Sequence, residues 1–321
     1  MALDVLEEIS RIGMIPVLTI ENADGALPLA RALAGGGLPL MEVMFRSDAA
    51  ADAIGRIAKE FPEFLVGAGT VLTPKQAEQA VKAGAKFLVA PGFNPEVVKA
   101  AQQLGTPIVP GTVTPTEVEA ARALGLHVLK FFPAVQQGGV PVMKLLSGPY
   151  PDVRFVPTGD LTRELTTEYL QFNRVAAAGG DYMTSYADIR AGNYEKIRKD
   201  TEDTVLGYLN FHVAHVGLNG SSPVEAAKLC GAFGEIFKVP VRQGSKSAMA
   251  GGMLEVMNKP FYYEKGHIAI GTRDATRAYW YLKRRGYEFL EDTVSKGNDG
   301  RIVAAYLKEP LAGFALHLVQ D

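Results

Sequence analysis

Lys130 stands inside the apolar run His127–Ala134, where an unpaired ammonium is costly to bury. Burial disfavours the charged form of an amine, and an uncharged amine is a nucleophile toward carbonyl carbon. A second unexpected charge, Glu42, lies within another apolar run, Leu38–Phe45. Two readings of these residues are open. One is a structural lysine paired with a carboxylate. The other is imine chemistry, in which the lysine forms the adduct and the carboxylate moves protons for dehydration and for protonation of the enamine. Arg46 fits either a bidentate clamp on a substrate carboxylate or an ordinary surface position.

The elements that must hold these groups are legible up to about residue 205. Short, nearly continuous apolar runs recur at Met14–Ile20, Leu38–Phe45, Phe64–Val71, Phe87–Gly92, Pro107–Thr112, His127–Ala134, Arg154–Asp160 and Arg174–Met183. Such runs are expected of parallel strands buried on both faces. Helical periodicity fills the intervals, for example over Ala49–Glu60, Pro74–Ala83, Pro95–Leu104, Pro115–Leu124 and Arg163–Asn173. Pro74, Pro95 and Pro115 each follow a Thr or Asn, a helix-starting pair, and Gly84, Gly105 and Gly125 stand where left-handed ends are expected. Eight strand–helix units predict a (β/α)8 barrel over residues 1–206, with chemistry at the C-terminal ends of the strands. An open doubly wound sheet is the alternative.

Beyond Gly207 the pattern changes. Ala214-His-Val-Gly-Leu recurs as Gly266-His-Ile-Ala-Ile, and Met253-Leu-Glu-Val-Met matches Ala315-Leu-His-Leu-Val near the end of each unit. The expectation for residues 207–321 is a smaller α+β domain of two β-α-β-β-β units that pack together to bury a shared face.

Composition narrows the function classes. A chain of 321 residues is long enough for one large and one small domain. Its formal net charge of −2, without a basic run, gives no reason to expect nucleic acid or an anionic membrane as partner. Cys230 is the one cysteine, which excludes an intramolecular disulfide and fits a reducing compartment. The N-terminus is acidic where a secretory signal would be basic, and no apolar stretch is long enough to span a bilayer. A soluble cytoplasmic protein is expected.

Five segments together carry a resemblance. Met41-Glu-Val-Met-Phe-Arg46, Gly67-Ala-Gly-Thr-Val-Leu72, Ala90-Pro-Gly92, Leu129-Lys-Phe-Phe-Pro-Ala134 and Val156-Pro-Thr-Gly159 resemble the 2-keto-3-deoxy-6-phosphogluconate (KDPG) / 4-hydroxy-2-oxoglutarate (KHG) aldolases. The resemblance covers roughly residues 5–205. It implies a class I, Schiff-base lyase that cleaves a 2-keto-4-hydroxy acid to pyruvate and an aldehyde, with no metal in the aldolase site, in a homotrimer. By motif, Lys130 is the Schiff-base lysine and Glu42 the acid/base. Arg46 and Thr70 hold the pyruvyl carboxylate, and Pro91 and Phe132 wall the pocket.

The chain departs from that family where phosphate would bind. Members acting on phosphorylated substrates resemble Pro-Thr-Gly-Gly after strand seven and Gly-Gly-Ser or Gly-Ser after strand eight. Here the positions read Pro157-Thr158-Gly159-Asp160 and Gly179-Gly180-Asp181. Two carboxylates facing a phosphate dianion would oppose it, so the expected aldehyde half is unphosphorylated. The alternative is that Asp160 and Asp181 merely cap the helices that follow.

Residues 211–321 resemble the vicinal-oxygen-chelate (glyoxalase-like) superfamily in pattern and position. That resemblance implies one ligand from the first and one from the last strand of each unit, here His215, Glu255, His267 and His317, around one divalent metal. Three imidazoles and a carboxylate suit Zn, Ni, Fe or Co better than Mg. His212 is expected to face the other side of its strand. A bifunctional enzyme with a second isomerase or lyase activity, and a catalytically silent sugar-acid-binding scaffold, are the competing readings.

Overall fold

The computed structural model describes residues 4–260 and 263–321, which fall into two compact units, Met1–Tyr208 and Leu209–Asp321. In the first unit the strands are β1 (Met14–Leu18), β2 (Leu40–Met44), β3 (Leu65–Gly69), β4 (Leu88–Val89), β5 (Ile108–Val109), β6 (Gly111–Thr112), β7 (Val128–Phe131), β8 (Arg154–Pro157) and β9 (Ala178–Gly180). Its helices are α1 (Val5–Ile12), α2 (Ala26–Gly35), α3 (Ala50–Glu60), α4 (Pro74–Ala83), α5 (Pro95–Gln103), α6 (Pro115–Ala123), α7 (Gly139–Ser147), α8 (Arg163–Gln171), α9 (Tyr186–Ala191) and α10 (Tyr194–Leu209).

Six strands pair in parallel in the order β5-β4-β3-β2-β1-β9, and three more in the order β6-β7-β8. Proline has no N–H to give a ladder, and Pro110 separates β5 from β6 within a single extended run. Parallel bridges at Phe155↔Val175 and Thr158↔Gly179 join the β8 and β9 segments. The result is an α/β fold with a curled parallel sheet. Ile15, Val109, Val128 and Val156, from four different strands, line one small apolar cavity together with Leu6 and Ile9 of α1.

The helices begin and end where the punctuation residues stand. Thr73 and Thr114 form capping boxes with Gln76 and Glu117, each with proline in the first turn, and Asn94 caps α5. Gly84 ends α4 at φ +105°, and Gly105 and Gly125 turn left-handed two residues past the ends of α5 and α6. The apolar faces of α2 to α5 close over the sheet through Leu29, Leu33, Ile54, Ile57, Ala80 and Val98.

The second unit is mostly sheet. Its elements are β10 (His212–Asn219), α11 (Pro223–Phe237), β11 (Val241–Gln243), β12 (Ser247–Ala250), β13 (Leu254–Met257), β14 (His267–Thr272), α12 (Ala275–Arg284), β15 (Ser295–Lys296), β16 (Ile302–Tyr306) and β17 (Ala315–Gln320). They form one eight-stranded sheet, β11-β12-β13-β10-β14-β17-β16-β15. The order is a palindrome of two β-α-β-β-β halves, joined where β10 and β14 run antiparallel. In each half the first strand pairs in parallel with the last, β10 with β13 and β14 with β17.

Candidate active site

β7 carries Lys130 and β2 carries Glu42, and both side chains are almost wholly buried. Lys130 Nζ lies 3.8 Å from Glu42 Oε1, inside ion-pair range but beyond a hydrogen bond. Glu42 Oε1 has no hydrogen-bond partner among the described residues. Burial raises the Glu42 pKa above the ordinary carboxylate value, against the opposing pull of the Lys130 and Arg46 charges. The carboxyl fits beside β3 because residue 69 is glycine: a Cβ there would stand 2.0 Å from Glu42 Oε1. Lys130 Nζ also sits 5.1 Å from the centre of the Phe132 ring.

The remaining residues lie at the same strand ends. Arg46 donates from Nε to Thr70 Oγ1 at 3.3 Å, just past β2 and β3. Thr70 adopts φ +56°, a strained conformation for a β-branched residue. Pro91 follows β4 so closely against β6 that a Cβ at Gly111 would be 2.0 Å from its carbonyl oxygen. Thr158 is buried and bridges Gly179. Gly159 takes φ +108°, and a Cβ on it would meet the Phe132 ring at 3.3 Å. Gly180 is buried at the end of β9, and Asp160 and Asp181 are exposed just beyond the strands.

Neither aspartate caps a helix. Thr162 caps α8 by accepting from Leu165 N, and Ser185 caps α9 by accepting from Asp188 N. The Asp160 carboxylate instead accepts from the side-chain amide of Gln136. Gln136 escapes a reading of the sequence because its partner is remote in the chain and a lone glutamine in a loop carries no spacing signal.

The second unit assembles its own polar cluster. His215 Nε2 and His267 Nε2 stand 3.2 Å apart, and Glu255 Oε2 lies 3.4 and 3.0 Å from them. One ring nitrogen from each of His215, His267 and His317 falls within a 4.8 Å span. The register slips between Val213 and His215 in the β10–β14 pairing, a bulge that re-aims His215. His212 lies apart from the cluster, 3.4 Å from Asp321. Ser247 Oγ donates to Glu255 Oε1, and Tyr306 stacks on His317 at 4.4 Å; the sequence signals neither contact.

Burial raises the Glu255 pKa, but hydrogen bonds with His215, His267 and Ser247 together hold the carboxyl well below the usual carboxylate range. Burial first, then the His267 and His215 charges, depress the His317 pKa to about 4. Both ring nitrogens of His317 and Nδ1 of His267 are buried without a partner among the described residues. Three imidazoles and a carboxylate are a donor set that a divalent transition metal takes.

A buried amine held against a buried carboxyl suits covalent carbonyl chemistry, and comparison with known proteins agrees. The sequence model of the family described as KDPG and KHG aldolase matches residues 5–200. A 2-dehydro-3-deoxy-phosphogluconate aldolase of Treponema pallidum is 46% identical over 201 residues, 63% of this chain and 96% of that protein. The KHG/KDPG aldolase of Escherichia coli K12 is 39% identical over 194 residues, 60% of this chain and 91% of that one. The structure of KDPG aldolase from Legionella pneumophila, with pyruvate captured as a covalent carbinolamine, superposes with a TM-score of 0.60 at 36% identity. That match covers 62% of this chain and 97% of the other. The protein is a lyase of the class I, Schiff-base aldolase kind. It belongs to the KDPG and KHG aldolase family.

Proposed function

We propose that Lys130 is the imine-forming amine and Glu42 the proton carrier in cleavage of a 2-keto-4-hydroxy acid. The observation that carries this is the buried Lys130–Glu42 pair at 3.8 Å, with no hydrogen bond to Glu42 Oε1 among the described residues and the Glu42 pKa raised. The amine adds to the keto carbon, and Glu42 relays the protons that turn the carbinolamine hydroxyl into departing water. The imine then draws the electrons of the C3–C4 bond as Glu42 takes the C4 hydroxyl proton. An aldehyde leaves, and an enamine remains. Proton return to C3 and hydrolysis of the imine release pyruvate and restore the amine.

Arg46, steadied by Thr70, binds the pyruvyl carboxylate, and Pro91 and Phe132 wall the pocket. Thr158, Gly159 and Asp160 with Gly180 and Asp181 receive the aldehyde half. Two like charges about 4 Å apart cost on the order of 4 kcal/mol at an effective dielectric of 20, worth several hundredfold in binding. The reading is therefore a preference for an unphosphorylated 2-keto-3-deoxy acid. Borohydride reduction in the presence of pyruvate tests the assignment, since it should add mass to the Lys130 peptide; an unlabelled Lys130 would reject it.

The bridges between β8 and β9 and the shared apolar cavity support closure of the sheet into a (β/α)8 barrel over residues 1–206. The homotrimer implied by the family resemblance belongs to the same proposal, with light scattering as its test. Among the described residues no helix is long and apolar enough to cross a membrane, and Cys230 is a free, buried thiol. Both support a cytoplasmic setting.

For residues 207–321 the palindromic sheet and the cluster at its centre support a vicinal-oxygen-chelate-like domain. His215, Glu255, His267 and His317 would hold one divalent metal there, which would act as a Lewis acid toward an oxygen ligand. The aldolase itself uses no metal. The same cluster favours a second reading, an additional metal-dependent isomerase or lyase activity in this unit.

A further inference from the structure

We infer that Gln136 and Asp160 form the subsite that reads the aldehyde half, and that they select a neutral, hydroxyl-bearing tail over both a phosphorylated and a carboxylate-ended one. The inference rests on the aldolase reading above and deepens it.

The loops that follow β7 and β8 are bonded to each other. Thr158 N donates to Phe131 O at 3.0 Å, and Ala134 N donates to Thr158 O at 2.9 Å. Beyond these bonds the Gln136 amide donates to Asp160 Oδ2. The reactive end of the site reaches this point through direct contacts: Lys130 lies over Phe132, and Phe132 lies against Gly159, next to Asp160. A tail leaving the scissile bond along the Phe132 ring therefore meets Asp160.

Asp160 is arranged to act on that tail. It holds a left-handed φ of +53°, so the backbone there does not require a side chain and would accept glycine with less strain. Helix capping does not use its carboxylate, because Thr162 fills that role for α8. Arg163, the next cation along the chain, extends toward Gly207, where a Cβ would stand 3.9 Å from its Cδ. The partner of Asp160 among the described residues is the neutral amide of Gln136, which fixes the carboxylate without cancelling its charge. With Oδ2 engaged, Oδ1 is left to accept a hydrogen bond. Asp160 and Asp181 each follow the bridged pair Thr158↔Gly179 by two residues, so two acceptor-only groups come just after adjacent strand ends. A hydroxyl donates to such groups, whereas a phosphoryl or carboxylate tail brings only further acceptors and like charge.

The test compares kcat and KM for 2-keto-3-deoxygluconate, its 6-phosphate, 4-hydroxy-2-oxoglutarate and the methyl-tailed 4-hydroxy-2-oxopentanoate. The native enzyme should show its highest kcat/KM on the first. Gln136→Leu should raise KM for 2-keto-3-deoxygluconate roughly ten- to hundredfold relative to the methyl-tailed substrate, with the effect in KM rather than kcat. Asp160→Gly should shift the preference toward the phosphorylated and carboxylate-ended acids. Higher native efficiency on either anionic tail, or a Gln136→Leu effect equal on hydroxylated and methyl tails, would overturn the inference. Borohydride trapping with pyruvate needs no tail. Trapping that persists beside a wrong tail preference rejects the subsite alone, whereas its loss in the native protein rejects the aldolase reading beneath it.

Discussion

Glu42 and Glu255 are the same side chain set up in opposite ways. Glu42 is buried, one of its oxygens has no hydrogen bond among the described residues, and burial pushes its pKa up. Glu255 is bonded by His215, His267 and Ser247, and those bonds hold its pKa down despite burial. A carboxyl that is easy to protonate can exchange a proton during turnover, and one kept ionised by its neighbours serves as a fixed anion or ligand. The two units thus differ in how many donors meet the carboxyl and in how deeply they bury it, the Glu42 side chain being 3% exposed and that of Glu255 19%.

The sharpest break of this contrast is at the first unit. Lys130→Ala should abolish pyruvate trapping and bring turnover below detection in a coupled pyruvate assay. Glu42→Gln should keep substrate binding while losing roughly two to four orders of magnitude in kcat. A loss below tenfold would mean that water or another group carries the protons.

Metal should separate the units. Elemental analysis of protein purified without chelator is expected to find one divalent transition metal per chain, lost on His267→Ala. Metal at a hundredfold over its dissociation constant would stabilise the second unit by about 2.7 kcal/mol, readable as a shift in its melting transition. Aldolase turnover should survive chelation. Turnover that falls with the metal would contradict a metal-free imine mechanism.

The pH dependence of the metal-free protein should carry opposite signs in the two places. The folded His317 pKa is depressed from 6.5 to about 4, so its contribution is whole above 6.5 and is lost as pH falls toward about 4. That loss is at most roughly 3 kcal/mol. Glu42, with a raised folded pKa, contributes fully below the ordinary glutamate value and loses that contribution as pH rises through its folded value. Urea midpoints measured across pH for the native chain and for His317→Asn would check the first; a difference independent of pH would reject it.

Much of the frame was legible because it is written in local pattern. The eight apolar runs each contain strand, and Thr73–Pro74 and Thr114–Pro115 start helices as their chemistry requires. Lys130 and Glu42 stood out because charge in an apolar run has few inexpensive explanations. Pairings between distant loops were not legible. Nothing adjacent to Gln136 points to Asp160, and nothing near Ser247 or Tyr306 points to Glu255 and His317. The helix-cap alternative for Asp160 and Asp181 rests on a side chain that suits a cap, but Thr162 and Ser185, close by and equally suitable, take that role. Backbone conformation decides between such neighbours: Thr162 at φ −90° has the extended geometry of a cap, and Asp160 at φ +53° does not.

Gly69 gives the first unit a vulnerability that an inventory of functional groups would miss. Its missing side chain is the space in which the Glu42 carboxyl lies, and even alanine would put a carbon 2.0 Å from Oε1. In a saturation scan selected for growth on the aldolase reaction, position 69 should therefore tolerate as few substitutions as Lys130. A laboratory lineage drifting under selection for stability alone would be expected to fill the gap, trading catalysis for packing at a residue that has no chemistry of its own.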